Sequence, residues 1–142
     1  FVAWWTDSTE PDHFEKPGDE NYQTYDGSWL GVKNAFPLLQ NKSIYEHQRA
    51  MKGNAKRSLQ MTRSGSFGIQ HYGTICWSGD VTASWNEMKN QIPSGLNFSL
   101  CGIPFWNTDL GGFFYWEFEQ NPKNPAIQDL QKIGRASCRE RV

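Results

Sequence analysis

Four times along this chain a strand-like run ends at a charged residue, and helical sequence separates several of the runs. Phe1-Val2-Ala3-Trp4-Trp5 gives way to Asp7, Ser58 to Arg63 closes in the Gly- and Ser-rich turn Ser64 to Gly68, Tyr72 to Trp77 is stopped by Ser78-Gly79-Asp80, and Ile103-Pro104-Phe105-Trp106 runs into a turn holding Asp109. The first run is apolar without alternation, which predicts a strand buried on both faces, as in a parallel sheet. Between the runs, Ile44, His47, Met51 and Ala55 recur at helical spacing from Ser43 onward. Thr82 offers an N-cap for a second helix with Trp85, Met88, Lys89 and Ile92 on one stripe before Pro93. Leu96 to Leu100 reads as a further helix or strand, and His13 to Gly31, rich in Gly, Asp, Asn and Tyr, as a long ordered loop. The fold class is therefore α/β with a parallel sheet, whose strands share one C-terminal face where ligands bind.

That face would collect Asp7, Arg63, Asp80 and Asp109, with Trp4, Trp5, Trp77, Trp106 and Phe113 nearby. A polar pocket with aromatic walls suits sugars: Asp and Arg hydrogen-bond hydroxyls while indole faces pack on the C–H faces of the ring. With 14 Lys and Arg against 15 Asp and Glu, the chain lacks the basic excess of a nucleic-acid binder. It has no apolar run long enough for a membrane span. His13, His47 and His71 show no metal-ligand spacing, and no Gly-rich phosphate loop is present. Ser64-Gly65-Ser66-Phe67-Gly68 is similar to a nucleophile elbow only superficially, because Ser64 stands where the first Gly is required.

At 142 residues the chain is well short of the roughly 250 of a complete (β/α)8 barrel, and it opens on a strand already under way, so the expectation is a fragment. Residues 133–142, Ile-Gly-Arg-Ala-Ser-Cys-Arg-Glu-Arg-Val, are encoded in order by ATC GGA AGA GCG TCG TGT AGG GAA AGA GTG, which looks like a common short-read sequencing adapter. They are set aside as non-native, in the manner of an expression scar. Removing Arg135, Arg139, Arg141 and Glu140 leaves 11 basic and 14 acidic residues in 1–132. Cys138 also drops out. Cys76 and Cys101 remain, both in apolar stretches that predict buried thiols and fix no redox compartment.

Trp5-Thr6-Asp7-Ser8-Thr9-Glu10-Pro11, Arg63-Ser64-Gly65-Ser66-Phe67-Gly68-Ile69-Gln70, Trp77-Ser78-Gly79-Asp80 and Gly102-Ile103-Pro104-Phe105-Trp106-Asn107-Thr108-Asp109-Leu110-Gly111-Gly112-Phe113 stand in this order. Together they resemble glycoside hydrolase family 31, the α-glucosidase and α-xylosidase family with a (β/α)8 TIM barrel, over about residues 1 to 120. The resemblance implies a partial barrel, from about its fourth strand to its seventh. It further implies that Asp7 is the catalytic nucleophile, Asp80 the general acid/base, and Arg63 a ligand of sugar hydroxyls and of the acid/base region. Asp109 would lie beside the site in a structural or substrate-orienting role, and Trp5, Trp77 and Phe113 would wall the sugar subsite. It calls for no cofactor and no metal, and its partner is an oligosaccharide.

The chemistry agrees with these roles. Retaining hydrolysis needs two carboxyls about 5–5.5 Å apart, one to attack the anomeric carbon and one to protonate the leaving oxygen. The nucleophile must stay ionised and the acid must keep its proton near neutral pH. Arg63, permanently cationic, would fix geometry rather than transfer protons. Other readings stay open: Asp7 as an N-cap for a helix starting at Ser8, Glu10 as the nucleophile, Asp80 as a plain loop carboxylate, and Asp109 as backbone-bonded only.

The expected activity is that of a retaining α-glycosidase. The Trp4 to Asp12 stretch looks most like bacterial α-xylosidases that trim xyloglucan. An α-glucosidase is the near alternative, and a non-catalytic carbohydrate-binding module the alternative of another class. A periplasmic or secreted location is favoured over a cytoplasmic one. The family site also draws an Asp from an earlier strand and a His from a later one, neither of which lies in residues 1–132. The chain by itself is therefore expected to be inactive and marginally folded.

Overall fold

The computed structural model describes residues 3–10, 18, 21–51, 53, 56–116 and 123–139. In chain order they form β1 (Trp4–Thr6), a β2–β3 hairpin (Gln23–Thr24 and Gly27–Ser28), the short α1 (Trp29–Val32) and α2 (Phe36–Ala50). Then come β4 (Gln60–Thr62), β5 (Thr74–Trp77), α3 (Trp85–Leu100), β6 (Trp106–Asn107) and α4 (Pro125–Arg139). Strands β1, β4, β5 and β6 make one parallel sheet in that spatial order, so each strand pairs with the next sheet strand in sequence. The register sets Thr6 beside Thr62, Thr62 beside Cys76 and Trp77 beside Asn107, so the strands finish nearly level. Every loop that follows a strand therefore opens at the same end of the sheet.

The helices α2 and α3 cover one face. Gln60, fully buried, donates through Nε2 to the carbonyls of Asn41 in α2 (3.0 Å) and Tyr72 (3.1 Å). Asn41, also fully buried, donates to the Pro37 carbonyl at 2.7 Å. Burial of these amides is tolerated because their donors are satisfied. The apolar core on this face is Ile69, Cys76 and Ile103, flanked by Leu38, Phe98 and Trp106. Full burial of Ile69 alone contributes about 1.5–3 kcal/mol. Gly95 lets α3 approach Trp106, since a Cβ there would lie 2.5 Å from the indole ring. The opposite face carries Trp5, Met61, Ile75 and Trp77, which alternate with the helix-facing residues.

Several expectations change. Trp4 and Trp5 are 40% and 63% exposed rather than buried on both faces, because β1 is an edge of this sheet and Trp5 lies on the face without helices. The first long helix begins at Phe36, not Ser43, with Pro37 in its first turn, where a missing N–H costs nothing. It ends at Met51, whose backbone is extended; Ala55 is outside the described residues. α3 is capped by Ser84, whose Oγ accepts from the Glu87 N–H at 3.1 Å, rather than by Thr82. It runs through Pro93 to Leu100 as one helix, joining two predicted segments. Cys101 is exposed at the end of α3, whereas Cys76 is buried as expected. The run Ile103–Trp106 yields strand only from Trp106, because Pro104 has no N–H for a ladder.

Within the expected long loop, 21–31 holds the hairpin and the start of α1; residues 11–17, 19 and 20, His13 among them, are outside the described residues, as are Phe1 and Val2. α4 is continuous across residues 132 and 133, and Leu130 on it is buried. Among the described residues no helix is long and apolar enough to cross a membrane.

Candidate active site

The loops after β1, β4, β5 and β6 bring the predicted charged residues to one end of the sheet. Asp7 directly follows β1, Arg63 directly follows β4, Asp80 stands three residues beyond β5, and Asp109 two beyond β6. Arg63 is the hub, with a side chain only 14% exposed. Its Nη1 lies 3.2 Å from Asp7 Oδ1 and 3.6 Å from Asp80 Oδ2. Two oxygens on one nitrogen can be no further apart than those distances laid end to end, about 6.8 Å. That limit admits the gap of about 5–5.5 Å that double displacement requires.

The β1 loop is held by its neighbours. Thr9, 1% exposed, shares its Oγ1 with the Thr62 hydroxyl at 2.9 Å and accepts from the Ser64 N–H at 3.0 Å and the Ser64 hydroxyl at 2.9 Å. Between Asp7 and Thr9 the backbone reverses through Ser8 in the left-handed region, φ 53°. Such a conformation in a non-Gly residue costs about 1–2 kcal/mol and persists where the surroundings enforce it. The Ser8 N–H donates to Asp7 Oδ1 at 2.7 Å. No helix starts at Ser8, so Asp7 caps none.

Glu10 is the other carboxylate that the sequence offers as a nucleophile. Here both its oxygens lie on Arg63, Oε1 at 2.7 Å from Nε and Oε2 at 3.0 Å from Nη2. Nothing in the sequence alone announces this pairing, although the β1–β4 register puts the two following loops side by side.

On the β5 side, Gly79 adopts φ 75°, and a Cβ there would press on Arg63 Cδ at 3.0 Å, so the bare backbone makes room for the arginine stem. The β5 and β6 loops are tied together: the Ala83 N–H donates to the Phe114 carbonyl at 2.8 Å, the Phe113 N–H to the Val81 carbonyl at 2.8 Å, and Ser78 Oγ meets Thr108 Oγ1 at 2.8 Å. The Asp109–Gly112 turn closes through the Gly112 N–H and the Asp109 carbonyl at 2.8 Å. Gly112 sits at φ 84° against Ala83, with no room for a side chain. Burial, and then the nearby charge of Asp80, push the Asp109 carboxyl above its ordinary pKa of 3.8. Asp109 thus lies within electrostatic reach of Asp80.

The aromatic predictions divide. Trp5 and Trp77 meet with ring centroids 5.8 Å apart. Trp77 is 5% exposed, so Trp5 is the ring that presents a face to solvent. Phe113 is half exposed and packs edge-on against Phe114 at 5.0 Å. An apolar groove of about 1310 Å³, lined by Trp4, Ile44, Met51, Leu59, Ile75 and Phe105 among others, is at the opposite end of the strands. It holds none of the charged cluster.

Residues 1–130 match the family model described as "Glycosyl hydrolases family 31 TIM-barrel domain". An α-xylosidase of Saccharolobus solfataricus is 39% identical over 134 residues, covering 90% of this chain and 17% of that protein. Human neutral α-glucosidase AB is 33% identical over 135 residues, covering 92% of this chain and 14% of that protein. The crystal structure of a family 31 α-xylosidase from Xanthomonas citri superposes with a TM-score of 0.80 at 32% identity, over 92% of this chain and 15% of that one. The chain therefore spans less than a fifth of the length of these relatives. The four-stranded sheet with its outer helices is a partial TIM barrel, and the chain belongs to glycosyl hydrolase family 31.

Proposed function

We propose that residues 1–132 are the central part of the catalytic barrel of a retaining α-glycosidase that hydrolyses terminal, non-reducing α-linked sugars by double displacement. Residues 133–142 are read as lying outside that enzyme; the family match that ends at residue 130 supports this. The observation that carries the functional reading is that Asp7 and Asp80 approach the same guanidinium nitrogen. In this reading Asp7, which faces Arg63 Nη1 and accepts from the Ser8 N–H, attacks the anomeric carbon while Asp80 protonates the leaving oxygen. The glycosyl ester that forms carries no charge on residue 7, and Asp80, now ionised, takes a proton from the attacking water. Arg63 stays cationic throughout and offers Nη1 to whichever carboxylate is charged. Trp5 stacks on the sugar, and Asp109, held by its turn, orients the Asp80 region. A binding module that only held sugar would need no such pair of carboxyls.

The substrate class proposed is an α-xyloside of the xyloglucan type. It is supported by the α-xylosidases among the relatives in both sequence and structure. α-Glucoside specificity is the second reading, supported by the human relative. The test is Asp7→Asn and Asp80→Asn in the full-length parent enzyme, assayed on aryl α-xyloside and aryl α-glucoside. Both variants should lose turnover by several orders of magnitude, with the wild type preferring the xyloside. Turnover that survives both changes refutes the enzyme reading, and a preference for glucoside refutes the narrower one.

A further inference from the structure

A guanidinium has two usable edges. On Arg63 the edge formed by Nε and Nη2 is taken by Glu10 at 2.7 and 3.0 Å, while Nη1 faces Asp7 and Asp80. Side-on pairing of this kind is the most directional contact a carboxylate and an arginine can make. If Glu10 were absent, Asp7, already 3.2 Å from Nη1, could take an arginine edge in its place, and the nucleophile's lone pairs would be engaged against the wrong partner. The charges matter as well. Arg63 is one cation among the carboxylates of Asp7 and Glu10 from the β1 loop and Asp80 from the β5 loop, with Asp109 from the β6 loop beyond Asp80. Ser8, also from the β1 loop, adds a weak neutral contact, its Oγ lying 3.4 Å from Nη2. Removing the Glu10 charge leaves less negative charge around the acid, which favours its anion over the protonated form that the first step uses.

We propose that Glu10 is a positioning residue for the reaction above: it holds Arg63 by one edge so that Nη1 is presented to Asp7 and Asp80, and it offsets part of the arginine charge beside the acid. The inference rests on the proposed assignment of Asp7 and Asp80. It gives Glu10 no contact with substrate.

The test is the pH dependence of kcat/KM in the full-length parent enzyme and its Glu10→Gln and Glu10→Asp variants. Gln keeps the shape and removes the charge. Both limbs of the profile should move to lower pH, because a negative charge near both carboxyls is removed. Asp keeps the charge but shortens the reach, so the limbs should stay within about 0.3 unit of the wild type while kcat falls at least about tenfold, the cost of one lost charge-assisted bond. A Gln profile that superposes on the wild type overturns the proposal, as does an Asp variant with wild-type kcat. If the Gln variant fails to fold, the kcat of the Asp variant decides alone. Loss of turnover in Asp7→Asn alongside an unshifted Glu10→Gln profile would reject only the role of Glu10. Retained turnover in Asp7→Asn would reject the underlying assignment.

Discussion

Replacing Arg63 by Lys keeps a positive charge at the centre of the cluster and removes its geometry. The guanidinium spans Glu10 on one edge, at 2.7 and 3.0 Å, and Asp7 and Asp80 from Nη1, at 3.2 and 3.6 Å. A single ammonium cannot occupy both positions. It settles on Glu10 and abandons Asp7, or turns to Asp7 and leaves Glu10 without its partner. Either choice forfeits at least one charge-assisted hydrogen bond, worth about 1.5–3 kcal/mol. Taken up in the transition state, that is a fall of about tenfold to about 150-fold in kcat/KM. The full-length parent enzyme assayed on an aryl α-glycoside gives the number. Its pH profile should hardly move, because the charge is retained. Arg63→Gln should cost more, since both the geometry and the positive charge are then lost. Activity of Arg63→Lys within about threefold of the wild type would refute the spanning role.

Three further outcomes follow from the same geometry. Gly112→Ala places a methyl group against Ala83 at a positive φ of 84°, and should cost at least about 3 kcal/mol by combined strain and overlap; a melting temperature within a degree of wild type would contradict it. Asp109→Asn removes a carboxyl whose pKa is raised on folding by burial and by Asp80. A raised carboxyl favours the fold only while protonated, so the Asn variant should melt higher at neutral pH, and the gain should vanish as pH falls through the raised value toward 3.8. A gain that grows with acid would reverse that sign. Cys76, 1% exposed and with its thiol pushed up to about 11 by burial, should resist iodoacetamide at pH 8 until denaturant is added, as read by peptide mapping; labelling at the rate of a free thiol would contradict it.

The strands that carry the site were legible because each strand-like run ends at a charged or Gly-rich turn; β4 and β5 lie within the predicted runs, and β1 extends one residue past its own, to Thr6. The parallel register then brings Asp7 and Arg63 together without further information. Helix starts were read less well. Ser84 and Glu87 stand three apart, the capping-box spacing, and Pro37 marks a first turn; both signals were present and outweighed by apolar periodicity further on. The continuity of α3 through Pro93 comes from packing against β6, with Phe98 on Trp106 at 4.6 Å, which no local pattern encodes. The pairing of Glu10 with Arg63 was not readable either. It depends on the left-handed backbone at Ser8, a conformation adopted by a residue that rarely takes it.

Covalent capture of the nucleophile tests the central claim most directly. A 5-fluoro glycosyl fluoride slows both displacement steps by opposing the oxocarbenium-like transition state, so the glycosyl ester accumulates and can be located by peptide mass mapping of the full-length parent enzyme. The account predicts a single ester on Asp7, absent from the Asp7→Asn variant. An ester on Glu10, or release of product with inverted anomeric configuration and no trapped adduct, would contradict it.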